Sequence, residues 1–134
     1  MGFEEVEHTA DKALRIFGSN LQELLISAAQ GMIGLMVADV SKVPPEVEKS
    51  IELEAIDAES LLVEWLSELA YWAETEMLVF YKFRIQNVTA THLQGSILGG
   101  KVPELEKHIK AVTYHNLKII KTSQGLEATI VFDV

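Results

Sequence analysis

From Leu61 to Ala73 the apolar residues Leu61, Leu62, Trp65, Leu66, Leu69, Trp72 and Ala73 recur at helical spacing, while Glu64, Ser67, Glu68 and Glu74 fall on the opposite side. A helix with one apolar stripe must be laid on another layer of structure to hide that stripe from water. Asp57 precedes it as a good N-cap, and Glu59 favours the first turn. Both tryptophans lie on the stripe, so core packing is a better reading than a binding face. A second stripe, Leu21, Leu24, Leu25, Ala28, Ala29, Met32, Ile33 and Met36, follows Ser19, with Gln22 three residues on as a capping box.

The remaining segments alternate with period two. Leu14 and Ile16 flank Arg15; Ile51, Leu53 and Ala55 alternate with Glu52 and Glu54; Phe83 and Ile85 flank Arg84; Leu93 and Ile97 follow. One strand is expected from Val112 and Tyr114 through Leu117 and Ile119. A turn at Ser123-Gln124-Gly125 then leads to Leu126, Ala128, Ile130 and Phe132. Gly99-Gly100 reads as a turn signal, and Pro44-Pro45 as the one weak break. The expected fold is α+β: a mixed or antiparallel sheet with two helices packed on one face, a single domain over residues 1–134.

Composition narrows the function classes. Eleven basic against twenty acidic residues give a net charge of −9, a field that repels a phosphate backbone, so direct nucleic-acid binding is not expected. Acids crowd Glu46 to Glu76, whereas Lys101, Lys107, Lys110, Lys118 and Lys121 lie in the last third. Such a body suits a basic partner or a cation, although solubility alone also accounts for most of the charge. No apolar run is long enough to span a membrane, and Met1 to Asp11 has no signal-like apolar core. Cysteine is absent, which excludes thiolate zinc, disulfides and a Cys nucleophile and is compatible with a cytoplasmic protein.

Three segments carry the remaining chemistry: Glu7-His8-Thr9-Ala10-Asp11, Ala111 to His115, and Ile130 to Val134. The last is a hydrophobic strand, so the main-chain oxygens of Val134 are expected close to the body of the protein. Asp133 alternates out of the face shared by Ile130, Phe132 and Val134. Two neighbouring anionic groups repel unless a cation or donors lie between them, and hard oxygens suit Ca²⁺ or Mg²⁺ better than zinc or copper. A third ligand has to come from elsewhere, with Asp11 the first candidate. Taken alone, Asp133 fits an ordinary surface acid better than a ligand. His8, His92, His108 and His115 show neither HxH nor HExxH spacing and read as hydrogen-bonded structure. No nucleophile elbow, P-loop, dinucleotide fingerprint or Ser-His-Asp order is present.

Taken together the segments resemble the archease family. EHTAD (Glu7 to Asp11) with Gly18 is similar to its N-terminal signature, LLVEWLSELAYWAETE (Leu61 to Glu76) to its second helix, KAVTYH (Lys110 to His115) to its late strand, and IVFDV (Ile130 to Val134) to its ending. The resemblance implies a non-catalytic accessory protein of the GTP-dependent tRNA-splicing RNA ligase, promoting its guanylylation and multiple turnover. It also implies a divalent cation, Ca²⁺ with Mg²⁺ as an alternative, held by Asp11, Asp133 and the main-chain oxygens of Val134. The choice of Asp11 is not independent of this likeness.

Two departures from the family pattern stand out. An acid often follows the glycine ahead of the KAVTYH region; here Gly99-Gly100 occupies that place, with Glu104 and Glu106 further on, so that role is lost or shifted. The signature continues Asp11-Lys12-Ala13, which sets a cation beside the implied ligand and weakens metal binding slightly. Two other functions compete with ligase activation: a chaperone or specificity modulator of RNA-modification enzymes such as tRNA methyltransferases, and a hydrolase using His8, His115 and a metal, which lacks a recognisable base–nucleophile pair.

Overall fold

The computed structural model describes residues 1–6 and 11–134. Among them the chain runs β1 (Gly2–Val6), β2 (Lys12–Gly18), α1 (Leu21–Met36), a 3₁₀ turn (Val40–Lys42), β3 (Val47–Glu54), α2 (Ala58–Glu76), β4 (Leu78–Val88), β5 (His92–Lys101), β6 (Ala111–Thr113), β7 (Ile120–Thr122) and β8 (Gly125–Asp133). No helix among these residues is long and apolar enough to cross a membrane.

Both expected helices and the antiparallel pairing are present in a single domain, and the strands divide between two sheets. One has the order β1-β2-β8-β6, with β7 also on β8; the other is β3-β5-β4. The reason lies in α1, whose buried set Leu24, Leu25, Ser27, Ala28, Ala29, Gly31, Met32, Ile33 and Met36 is wider than one stripe. A helix apolar around so much of its circumference needs cover on two sides. It touches β1, β2 and β8 of the first sheet and β4 of the second, and α2 likewise meets β6 of one sheet and β3, β4 and β5 of the other. Leu14, Ile16, Ile130 and Phe132 from the first sheet thus share one core with Ile51, Leu93 and Ile97 from the second. Trp65 is wholly buried there, donating its indole N–H to the Leu25 carbonyl at 2.8 Å and meeting Phe83 edge-on at 5.4 Å. Trp72 is half-buried, with the Lys49 ammonium 4.3 Å from its ring centroid.

Three local expectations are corrected. The α1 N-cap is Asn20, not Ser19: its side chain accepts from the Glu23 N–H at 2.9 Å, and Glu23 in turn accepts from the Ser19 N–H at 2.9 Å. The reciprocal bond comes from Glu23 rather than Gln22. The Val112–Ile119 stretch is not one strand. Asn116 adopts a left-handed φ of 52°, a conformation Asn tolerates, and the Leu117 N–H turns back to the Tyr114 carbonyl at 3.0 Å, separating β6 from β7. Gly99-Gly100 is no turn but lies inside β5. A Cβ on Gly99 would sit 1.9 Å from the Val79 carbonyl oxygen, beside the irregularity at Phe80/Lys82, and one on Gly100 would sit 2.0 Å from that of Pro44. These glycines let β4 and the Pro44 backbone approach closely.

Asp57 caps α2 as expected, accepting from the Ser60 N–H at 2.8 Å. That bond, with help from the Ser60 side chain, holds its carboxyl below the ordinary aspartate value. A lowered carboxyl contributes stability above its unfolded-state value and loses it as pH falls through the folded value. Asp57→Asn keeps an acceptor and removes the titration. The stability difference between wild type and this variant is therefore expected to shrink as pH is lowered from about 5 to about 2. Thermal unfolding across that range checks it; a constant difference contradicts the assignment.

Candidate metal centre

The site is assembled by strand register. β2 and β8 pair antiparallel with Lys12 opposite Phe132, Ala13 opposite Val131 and Leu14 opposite Ile130. The pairing ends there: Asp11 directly precedes Lys12 and Asp133 directly follows Phe132, so each aspartate lies one residue beyond the last pair. Residues directly opposite one another project to the same sheet face. Leu14, Ile16, Ile130 and Phe132 occupy the helix-covered side, so by alternation Asp133 belongs to the other. Asp133 is exposed and Asp11 half-exposed. Val134, the next residue, packs its side chain against the core.

On the far side of β8, β6 places Ala111 opposite Asp133, and the Lys110 N–H donates to the Asp133 carbonyl at 2.7 Å. The Thr113 hydroxyl donates to the Val131 carbonyl at 2.9 Å. Asp133 is therefore held on the β6 side, one residue beyond the β2 pairing at Phe132, its carbonyl engaged and its side chain exposed. Of the three segments singled out by sequence, Asp11, Lys110–Thr113 and Asp133–Val134 meet at one end of the first sheet; Glu7, His8, Thr9 and Ala10 lie outside the described residues.

The donor set fits a hard cation. Carboxylate and main-chain oxygens, which Asp11, Asp133 and Val134 carry, are the ligands Ca²⁺ and Mg²⁺ prefer. Among the described residues no three His, Asp or Glu side chains gather into a metal-binding group, so an ion held here would need main-chain oxygen, water or a partner's groups as well. The Lys12 charge is engaged: its ammonium lies 2.8 Å from Glu5 Oε1 on β1. That pairing offsets the repulsion the neighbouring lysine would exert on a cation.

The three described histidines are scattered. His92 pairs with Glu52 at 2.8 Å, His108 pairs with Glu74 at 2.9 Å, and the His115 N–H donates to Thr113 Oγ1 at 3.3 Å in the turn after β6. His8 lies outside the described residues. Glu104 and Glu106 are exposed in the loop after β5, where the Glu106 N–H donates to the carbonyl of Met36, the last residue of α1. Glu74, expected to face away, is instead half-buried and accepts from the Ile109 N–H at 3.2 Å. It lines a groove of about 250 Å³ with Tyr71, Thr75, Ile109 and Lys110, beside the strand that holds Asp133. Periodicity alone missed this contact, because a carboxylate that reaches sideways to a loop looks like any solvated acid.

With fold and site in place, the chain finds its relatives. Residues 3–134 match the model of the Archease protein family (MTH1598/TM1083). The chain belongs to the archease family. It is 39% identical over 140 residues to the protein archease of Methanosarcina acetivorans, covering 98% of this chain and 95% of that one. It is 32% identical to that of Methanothermobacter thermautotrophicus, with 99% of each covered. Among solved structures it resembles Methanobacterium thermoautotrophicum protein 1598 at a TM-score of 0.80 and 31% identity, covering 99% of both chains. It shares the fold of an archease described as a possible chaperone, TM1083 of Thermotoga maritima, at a TM-score of 0.70 and 22% identity over 98% of this chain and 96% of that one.

Proposed function

We propose that this chain is a non-catalytic accessory protein that binds a divalent cation, Ca²⁺ or Mg²⁺, through Asp11, Asp133 and the main-chain oxygens of Val134. Its partner in this reading is the GTP-dependent tRNA-splicing RNA ligase, whose guanylylation and multiple turnover it promotes in the cytoplasm. The observation that carries the proposal is the β2–β8 register: it ends at Lys12 opposite Phe132, so Asp11 and Asp133 each lie one residue beyond that pair, by an exposed strand end. Two carboxylates and a main-chain oxygen fall short of the six to eight ligands calcium takes, so the remaining positions suit a partner's groups or a nucleotide's phosphates. The net charge of −9 suits docking on a basic, RNA-binding enzyme, chiefly by speeding association. The test is a guanylylation assay of the ligase with wild type, Asp11→Ala and Asp133→Ala. Stimulation by wild type and its loss in both variants is expected; equal stimulation by all three removes the metal site from the mechanism.

A second reading, a chaperone or specificity modulator of RNA-modification enzymes such as tRNA methyltransferases, is favoured by a different surface. The exposed Phe3 and Val40 join Ile33, Val37 and Tyr81 around a groove of about 400 Å³. Undiminished suppression of aggregation by Asp133→Ala supports that reading, because it separates protection from the carboxylates.

A further inference from the structure

The stretch from Val102 to Lys110 has no regular structure, yet it delivers β6 to the side of Asp133. A strand of three residues makes too few ladder bonds to fix its own place. Its upstream anchor is Glu74, on the rigid body of α2. One carboxylate oxygen accepts from the Ile109 N–H at 3.2 Å, and the other lies 2.9 Å from His108 Nδ1. Ile109 is buried, and the Glu74 side chain is only 26% exposed, which limits competition from water. The next N–H along the chain, that of Lys110, donates to the Asp133 carbonyl at 2.7 Å. An unbroken path therefore runs from α2 through Glu74, Ile109 and Lys110 to the backbone of Asp133.

We infer that Glu74 is a positioning residue for the Asp133 site: it pins the β6 side of that strand end, while β2 pairs with β8 as far as Phe132. The inference rests on the cation reading proposed above. Without Glu74 the pairing of β8 to β2 survives, and so do the burial of Ile109 and the Thr113–Val131 bond, but the Lys110–Asp133 bond loses the polar contact beside it and opens more readily. The Asp133 carboxylate then samples more orientations, and a cation binds less tightly.

The experiment is a calcium titration of the full chain carrying Glu74→Ala, Glu74→Gln or, as a control on the exposed side of α2, Glu64→Ala, with amide exchange at Lys110 followed in parallel. Glu74→Ala is expected to weaken calcium binding about tenfold, whereas Glu74→Gln, whose amide can still accept from Ile109 and donate to His108, stays within about twofold of wild type. Glu64→Ala matches wild type. Faster exchange at Lys110 in folded Glu74→Ala is the accompanying sign, one that a uniform loss of stability does not produce in that residue alone. Unchanged calcium binding in Glu74→Ala overturns the inference. So does an equal loss in Glu74→Gln, which would make the charge rather than the anchor responsible. Absence of calcium binding in wild type is a separate result: it overturns the cation reading and this inference with it.

Discussion

Trp65→Ala is expected to cost about 3–5 kcal/mol, the range for removing a fully buried large aromatic from a packed core. Trp65 has no exposed surface, and its neighbours tie three elements together: α2 carries it, α1 accepts its indole hydrogen bond at Leu25, and β4 supplies Phe83. The cavity thus opens where both helices meet the second sheet, and none of the three can close it without shifting against the others. For a domain of this size the loss lowers the melting temperature by roughly 10–20 °C. Trp65→Phe keeps most of the apolar bulk but forfeits the bond to the Leu25 carbonyl, so its penalty is expected to be well under half as large. Thermal denaturation of both variants decides the matter. A small effect of Trp65→Ala would mean that the two helices and β4 are not held by this contact.

Helices and core were legible from the sequence because burial imposes a period. The stripe from Leu61 to Ala73 and the Asp57 cap appear where the spacing put them, since a helix face and its N-cap are local consequences of local residues. Gly99-Gly100 shows where local reading ends. A glycine pair chosen for close approach by β4 and Pro44 has the same sequence signature as a turn, and only the partner backbone tells them apart. The same holds for Asn116, whose left-handed φ divides a stretch of strand-like alternation. That the strands form two sheets was hidden in the width of α1's apolar face, which says that two covers are needed but not which strands supply them.

The site was legible as a set of residue types rather than as a place. Asp133 alone has the pattern of a solvated acid. What gives it a neighbour is a pairing between strands more than a hundred positions apart, and no periodicity encodes such a register. The resemblance to the archease family supplied Asp11; the β2–β8 pairing ends at Lys12 opposite Phe132, one residue short of both aspartates. The anchoring of β6 by Glu74 was not legible at all, because it depends on where an irregular loop returns to α2.

Removing either carboxylate is expected to have the largest effect on ligand binding. With only two acidic side chains in the set, each supplies a large share of the negative charge facing the ion, and neither has a spare nearby in the set to replace it. Asp11→Asn and Asp133→Asn preserve shape and hydrogen bonding while removing that charge, so the fold should be untouched, with unfolding within about 0.5 kcal/mol of wild type. Cation affinity, by contrast, should fall by about a hundredfold or more in each variant.

Calorimetric titration of calcium into the metal-stripped protein and these two variants asks whether Asp11 and Asp133 share an ion. One ion per chain in wild type, with both variants severely and similarly weakened, is the predicted result. Wild-type affinity retained in either variant, or no calcium uptake by wild type at all, would contradict the claim that the two strand ends hold a shared ion.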